Sequence, residues 1–303
     1  MAGEVLIGAG GWQYFIIPGR NSLREYSKAF DFVEVNSTFY KKVPLSQCMS
    51  WRSTVDEKFV FTVKCHRHVT HVYGLRAVEQ CFKAFEHCVD VCRVLHAPLL
   101  VLETPPTLSI TSMLLTTFFS SVDCDGVKVG LEARGPVAAE SFKTMMDIGI
   151  IHVTDISREM PKYYDEGITY SRLFGRGVHN MYQFDDSEVV EINTKAENTP
   201  SKRVFLSFHG IRMYVDAARL KVYRNTGQMA PVTSSTGVES FAEVMDDAVF
   251  PASKQHLIDR HGWKLFDKTR RQRARVSEIL AKIPDRTYQN LNELVDAVRN
   301  IMP

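Results

Sequence analysis

The chain has 303 residues, 45% of them hydrophobic and 24% charged, as expected for one large globular domain with room for a small companion. No run approaches the roughly 18 uninterrupted apolar residues that a membrane span needs. The start, MAGEVLIGAGGW, carries Glu4 where a leader would have a basic region and an apolar stretch. The expectation is therefore an intracellular, cytoplasmic protein with no membrane partner. The net charge is +2, but residues 251–303 carry 11 Lys/Arg against 6 Asp/Glu, so the basic surplus sits at the C-terminal end. A basic tail on a near-neutral body points to an anionic partner.

In chain order, a first strand at Val5–Gly8 runs into Gly8, Gly10 and Gly11, followed at once by Trp12 and Tyr14. The spacing is not GxGxxG and no helix opens there, which excludes a dinucleotide fingerprint. A helix near Ser22–Ala29 leads to a second strand, Phe32–Val35. The stretch Phe30–Tyr40, FDFVEVNSTFY, begins apolar and ends with Glu34, Asn36, Thr38 and Tyr40. Strand side chains alternate, so Glu34 and Asn36 fall on one face if the strand persists. A helix near Leu45–Thr54 precedes a third strand ending at Lys64, with His66, His68 and His71 just beyond it. Apolar residues at helical period predict a long helix over Leu75–Leu95. Then come LLVLE ending at Glu103, a helix over Ile110–Ser120, VKVGLEAR ending in Glu132 and Arg134, and a helix over Val137–Asp147. GIIHVTD ends at Asp155, ITYSRL near Arg172, and RVFLSFHG at His209.

Eight short apolar runs, each ending in polar residues and most followed by a helix, suggest parallel strands buried on both faces. The fold class read from this pattern is α/β: a TIM (β/α)8 barrel, with room for irregularity, and a small C-terminal α-helical module. A doubly wound open sheet is the alternative. The barrel is favoured because polar residues follow every strand, whereas an open sheet gathers them near its switch point. The boundaries read as a barrel over 1–222, a linker or ordered loop over 223–249, and the module over 250–303, where Asn290 is placed to cap the last helix. Cys81, Cys88 and Cys92 repeat at helical intervals and read as one buried helix face; no metal-ligand spacing joins the six cysteines, and no disulfide framework is expected.

The residues GAGGWQY at 8–14, FDFVEVNSTFY at 30–40, Trp51, FVFTVKCHRHVTH at 59–71, LLVLETPP at 99–106, LEAR at 131–134 and TYSRLFG at 169–175 resemble the domain of unknown function 72 family, the YecE-like proteins. FHGIRMYVDAARL at 208–220 is similar to the ending of archaeal-type members. The resemblance implies a TIM barrel and brings no established activity; a nucleic-acid or DNA-repair role is suggested for the family by likeness to endonuclease-type barrels. Glu103 stands where many members carry Gln, and FHG stands where bacterial members end in an Asn pair. Residues 250–301 resemble the small helical domain of unknown function 2795, on FPASKQHLI, VSEILAKIP and YQNLNELVDAV.

In a barrel the strand ends meet at one mouth, which yields two groups of candidates. The catalytic group is Glu34, Lys64, His71, Glu132, Asp155 and His209. The substrate-binding group is Trp12, Tyr14, Asn36, Tyr40, Glu103, Arg134, Tyr170 and Arg172. Lys64, Arg134 and Arg172 would clamp a phosphorylated or nucleic-acid substrate. Glu34, Glu132 or Asp155 would act as base or hold a divalent cation, Mg or Mn given carboxylate ligands. His71 or His209 would move protons, and Trp12, Tyr14 and Tyr40 would stack on a base or sugar. Against this, Glu132 and Arg134 sit two residues apart on one strand and can form a neutral structural pair. Other functions left open are a non-catalytic nucleic-acid or protein binder, whose sequence support is the basic run Lys264–Arg275, and a sugar isomerase or aldolase using Lys64 as a Schiff base.

Overall fold

The computed structural model describes residues 3–178 and 180–302. Eight parallel strands form a barrel: β1 (Glu4–Ala9), β2 (Phe32–Val35), β3 (Val60–Lys64), β4 (Leu99–Glu103), β5 (Lys128–Glu132), β6 (Ile150–His152), β7 (Ile168–Leu173) and β8 (Arg203–Phe208). Their order is β6-β5-β4-β3-β2-β1-β8-β7, and an isolated parallel bridge between Thr154 and Ser171 joins the two ends. The predicted TIM barrel is therefore the fold found.

Helices α1 (Ser22–Ala29), α2 (Ser37–Tyr40), α3 (Leu45–Thr54), α4 (Glu79–Leu95), α5 (Ser112–Phe119) and α6 (Ala139–Asp147) fill the first connections. Asn21 and Thr111 cap α1 and α5 by accepting a backbone N–H with their side chains. Helix α4 starts later than the Leu75 read from its periodicity. Gly74 and Leu75 both take positive φ, 57°, which no right-handed helix tolerates. Its cysteines Cys81, Cys88 and Cys92 are buried as a face, and all six cysteines are free thiols.

Strand period two sets the interior of the barrel. Leu6, Phe32, Leu99, Val101, Ile151, Val153, Ile168, Tyr170 and Phe205 form one apolar cluster. Two residues further along the same strand faces stand Glu34, Glu103, Arg172 and Ser207. The charged layer is thus seated directly on an apolar one.

The chain divides into two compact units: Met1–Leu173 with Thr194–His209, and Phe174–Asn193 with Gly210–Pro303. The second unit therefore begins before the boundary at 222 read from sequence. It includes α8 (Met213–Thr226), α9 (Gly237–Val244), α10 (Lys254–His261), α11 (Val276–Leu280) and α12 (Leu291–Arg299), with strands β9 (Ala252–Ser253), β10 (Leu265–Thr269), β11 (Gln272–Arg275) and β12 (Thr287–Tyr288); α7 (Asp186–Glu197) spans the division at its Asn193–Thr194 bond.

Two expectations for this region change. The stretch 223–249 holds α9, whose Val238, Phe241 and Val244 join the unit's own core with Leu257, Phe266 and Leu294. The module is also not wholly helical: β10 and β11 pair as an antiparallel hairpin, and β9 pairs with β12. The basic run Lys264–Arg275 lies on that hairpin. Lys264 donates to the Val244 carbonyl at 2.7 Å, and Arg273 pairs with Asp267 at 2.9 Å and Asp186 at 3.0 Å. Two of its cations are consequently spent inside the unit. Asn290 caps α12, accepting from the Glu293 N–H at 2.9 Å. No helix among the described residues is long and apolar enough to cross a membrane.

Candidate functional site at the barrel mouth

The centre of the site is Arg172, near the end of β7 and 1% exposed. Its Nε and Nη2 donate to Oε2 and Oε1 of Glu34 at 3.1 and 3.0 Å, a two-pronged pairing that suits a planar guanidinium. Its Nη1 donates to Glu103 at 2.5 Å and also to Glu132. Glu103 and Glu132 are register partners on β4 and β5, so like charges stand side by side. Such a pair repels unless a cation lies between them, and Arg172 is that cation.

Two further cations complete the layer. Lys64 Nζ lies 2.9 Å from Glu103 Oε2 and 4.1 Å above the Phe39 ring. Arg134 reaches Glu103 at 3.1 Å and Glu132 at 3.3 Å. Three carboxylates therefore face three basic groups, and the layer is neutral as a whole. Glu34, 0% exposed, also accepts from the Tyr170 hydroxyl at 2.9 Å, and that hydroxyl contacts Thr62 Oγ1 at 2.9 Å. His209 Nε2 lies 3.5 Å from Glu34 and 2.9 Å from Ser207 Oγ.

Burial and pairing oppose each other in the ionisation of these groups. Burial pushes the Glu34 carboxyl up, but Arg172, His209 and Lys64 together hold it well below the usual carboxylate range. The same contest at Glu103, with Arg172, Lys64 and Arg134 opposing burial, leaves it at about 2. Burial and then the Arg172 charge bring Lys64 down from the ordinary lysine value. Burial and Arg172 likewise lower His209 from the ordinary histidine value.

Residues 6–233 match the family model described as a protein of unknown function, DUF72. The chain belongs to the DUF72 family. A DUF72 family protein from Enterococcus faecalis shares 14% identity at a TM-score of 0.56, covering 74% of this chain and 98% of its own. One from Thermotoga maritima shares 15% identity at a TM-score of 0.56, covering 73% and 99%. At such identities the likeness concerns the fold alone. No curated protein matches the chain.

Within this DUF72 barrel the residues expected at the mouth divide into those that meet and those that do not. Glu34, Lys64, Glu103, Glu132, Arg134, Tyr170, Arg172 and His209 form the connected layer. Asn36 is beside it: β2 ends at Val35, and Asn36 Nδ2 donates to the Gly10 carbonyl at 2.6 Å. Asp155 is a turn cap, accepting from Ser157 N–H at 3.0 Å and Oγ–H at 2.5 Å. His71 takes a contact from Thr70 Oγ1 at 2.9 Å, lies edge-on to Phe39, and borders a cleft of about 390 Å³ with Tyr73, Arg76 and Pro105. Burial lowers its pKa. Trp12 is buried edge-on against Trp51 at 5.0 Å, so it offers no open stacking face, whereas Tyr14 and Tyr40 are 81% and 70% exposed.

The anion clamp expected of Lys64, Arg134 and Arg172 is corrected by these contacts, because each cation already holds a carboxylate. The divalent cation also fails to fit. Among the described residues no group of three His, Cys, Asp or Glu is arranged to hold a metal, and Glu34, Glu103 and Glu132 turn their oxygens to a guanidinium instead. Phe39, Thr62 and Ser207 escaped the sequence reading. The period-two step back from Lys64 and from His209 would have found the last two.

Gly10 fixes how closely the first and last strands' loops approach. A Cβ there would lie 2.3 Å from His209 Nδ1 and 2.7 Å from Asn36 Nδ2, inside any allowed contact. Gly10→Ala is therefore expected to displace His209 and lower stability by about 1–3 kcal/mol, the usual toll of overpacking. Thermal melts compared with Gly19→Ala, whose added Cβ would meet nothing within 4 Å but must still tolerate a positive φ, separate crowding from backbone strain.

Proposed function

We propose that the barrel mouth is an enzyme site that carries out proton transfer on a phosphorylated or nucleic-acid substrate, with Lys64 as the group that moves the proton. The observation that carries this reading is the Lys64 ammonium at the C-terminal end of β3, buried, shifted down in pKa and held 2.9 Å from Glu103. A lysine whose pKa is lowered by burial and a neighbouring guanidinium gives up its proton more readily than a free one, and the ends of barrel strands are where this fold keeps its chemistry. Glu103 orients the ammonium. Arg134 and Glu132, the most exposed members of the layer, are the groups a substrate meets first. Arg172, Glu34 and Tyr170 lie beneath them and hold the layer in shape.

The test uses wild type and Lys64→Met against sugar phosphates, nucleotides and short oligonucleotides, with products read by mass spectrometry and phosphorus NMR. Wild type is expected to convert one class. Lys64→Met is expected to lower kcat by about 10²–10⁴-fold, the usual contribution of a positioned acid or base, when assayed at temperatures where its melt shows it folded, since it also loses a buried ion pair. Conversion by the variant at the wild-type rate, or conversion of none of the three classes by wild type, removes the proposal.

The lowered pKa of Lys64 also favours a second reading, a Schiff-base enzyme of the aldolase type. Borohydride reduction in the presence of ketose and aldose phosphates would then add substrate mass to the Lys64 peptide. An unmodified Lys64 peptide discards it. The binding-protein reading loses part of its support, since Lys264 and Arg273 of the basic run are engaged internally.

A further inference from the structure

A second basic surface lies outside the charged layer. It is a groove of about 700 Å³ bounded by the α2 end, the turn after β3 and one face of α4. Tyr40, Lys41, Lys42, Arg67 and Lys83 line it, three histidines join them, and no Asp or Glu does. Lys41, Lys42 and Arg67 are exposed, and among the described residues none of the three pairs with a carboxylate. Lys83 differs, being paired with Glu79 on α4. The contrast with the mouth is sharp: Lys64, Arg134 and Arg172 are neutralised, while these cations are not.

Backbone contacts set the ring protons of two of the histidines. His66 Nδ1 accepts the His68 backbone N–H at 3.2 Å, so the neutral ring carries its proton on Nε2. His87 Nε2 lies 2.9 Å from the Val43 carbonyl, which can only accept, and this fixes its ring. The exposed Tyr40 ring packs edge-on to Phe39 at 5.0 Å, and the same Phe39 ring lies under Lys64. One phenylalanine thus links the groove to the reacting lysine.

We propose that this groove is a phosphate-binding subsite, in which Lys41, Lys42 and Arg67 receive the phosphate oxygens and Tyr40 stacks on the attached base or sugar. It deepens the reading of the mouth and rests on that reading's phosphorylated substrate. Unpaired cations beside an open aromatic ring are what a nucleotide requires, charge for the phosphate and a face for the ring. The phosphate comes either from a free nucleotide or from a single strand.

Affinity for ADP and for a short oligothymidylate, by calorimetry and fluorescence anisotropy, tests it in the 303-residue chain. The triple variant Lys41→Ala, Lys42→Ala, Arg67→Ala changes exposed side chains only, and its melt checks the fold. It is expected to lose at least about tenfold in affinity, the equivalent of one charge-assisted hydrogen bond. Lys268→Ala, Arg270→Ala, Arg271→Ala, which removes the exposed cations of the hairpin, serves as the comparison and is expected to bind as wild type. Loss of ADP binding in the groove variant identifies a free nucleotide. Loss confined to the oligonucleotide, with affinity falling steeply in salt, identifies a strand. Equal affinity in the groove variant and wild type, or no binding of either probe by wild type, overturns the groove. Turnover by wild type judges the mouth independently, so a protein that converts substrate but binds through other residues refutes the subsite alone.

Discussion

Arg172→Met is expected to lower the stability of the barrel by about 3–5 kcal/mol, because it strands the buried Glu34 carboxylate and weakens the pairing of two neighbouring ones. Glu34 loses both of its guanidinium bonds, and Glu103 and Glu132 keep Arg134 but lose the buried one of the two arginines they share. Urea unfolding read by tryptophan fluorescence measures the loss. Arg172→Lys is expected to recover only part of it, since one ammonium cannot meet Glu34 with two parallel bonds and reach the other pair as well. Glu34→Gln in the Arg172→Met background should restore stability by removing one unpaired charge. A wild-type midpoint in Arg172→Met would show that the guanidinium is kept for a ligand and not for the fold.

Acid is the second large lever. In the unfolded chain Glu103 titrates near the ordinary 4.5, and in the folded barrel at about 2. Its folded pKa is depressed, so the stability it contributes is fully present above about pH 4.5 and lost as the pH falls toward 2. That difference corresponds to about 3 kcal/mol, and Glu34, depressed further, acts in the same direction over a window that reaches to more acid pH. Urea midpoints measured from pH 5 down to 2 should fall steeply, and Glu103→Gln should flatten the fall. An equally steep decline in that variant would assign the acid sensitivity to other carboxylates.

Much of the barrel was legible because strand periodicity is local. Phe32 and Glu34, or Tyr170 and Arg172, lie two apart, and a reader needs only one strand to place them on one face, whereas the strand stops before Asn36. What those side chains would meet was not legible. Glu34 and Arg172 are separated by 138 residues and Arg172 and Glu132 by 40, so the clamp read from Lys64, Arg134 and Arg172 could not anticipate its own neutralisation. The same limit hid the groove: Lys41 and Arg67 belong to different βα connections, and that neither meets a carboxylate among the described residues is a fact of three dimensions. At the C-terminal end the error was of another kind. The module was expected to be helical, but most of its basic run lies on β10 and β11, which pair as an antiparallel hairpin.

The position of Arg172 on β7 also sets an order of events during synthesis. Strands β2, β4 and β5, which carry Glu34, Glu103 and Glu132, leave the ribosome well before β7. Until β7 arrives, Glu103 and Glu132 already have Lys64 and Arg134 to meet, but Glu34 has no arginine to meet, and burying it alone is costly. Contacts of such long sequence separation form late and slowly, so the guanidinium serves as a keystone: a late piece, and the one that lets the second strand's carboxylate bear on the far side of the ring.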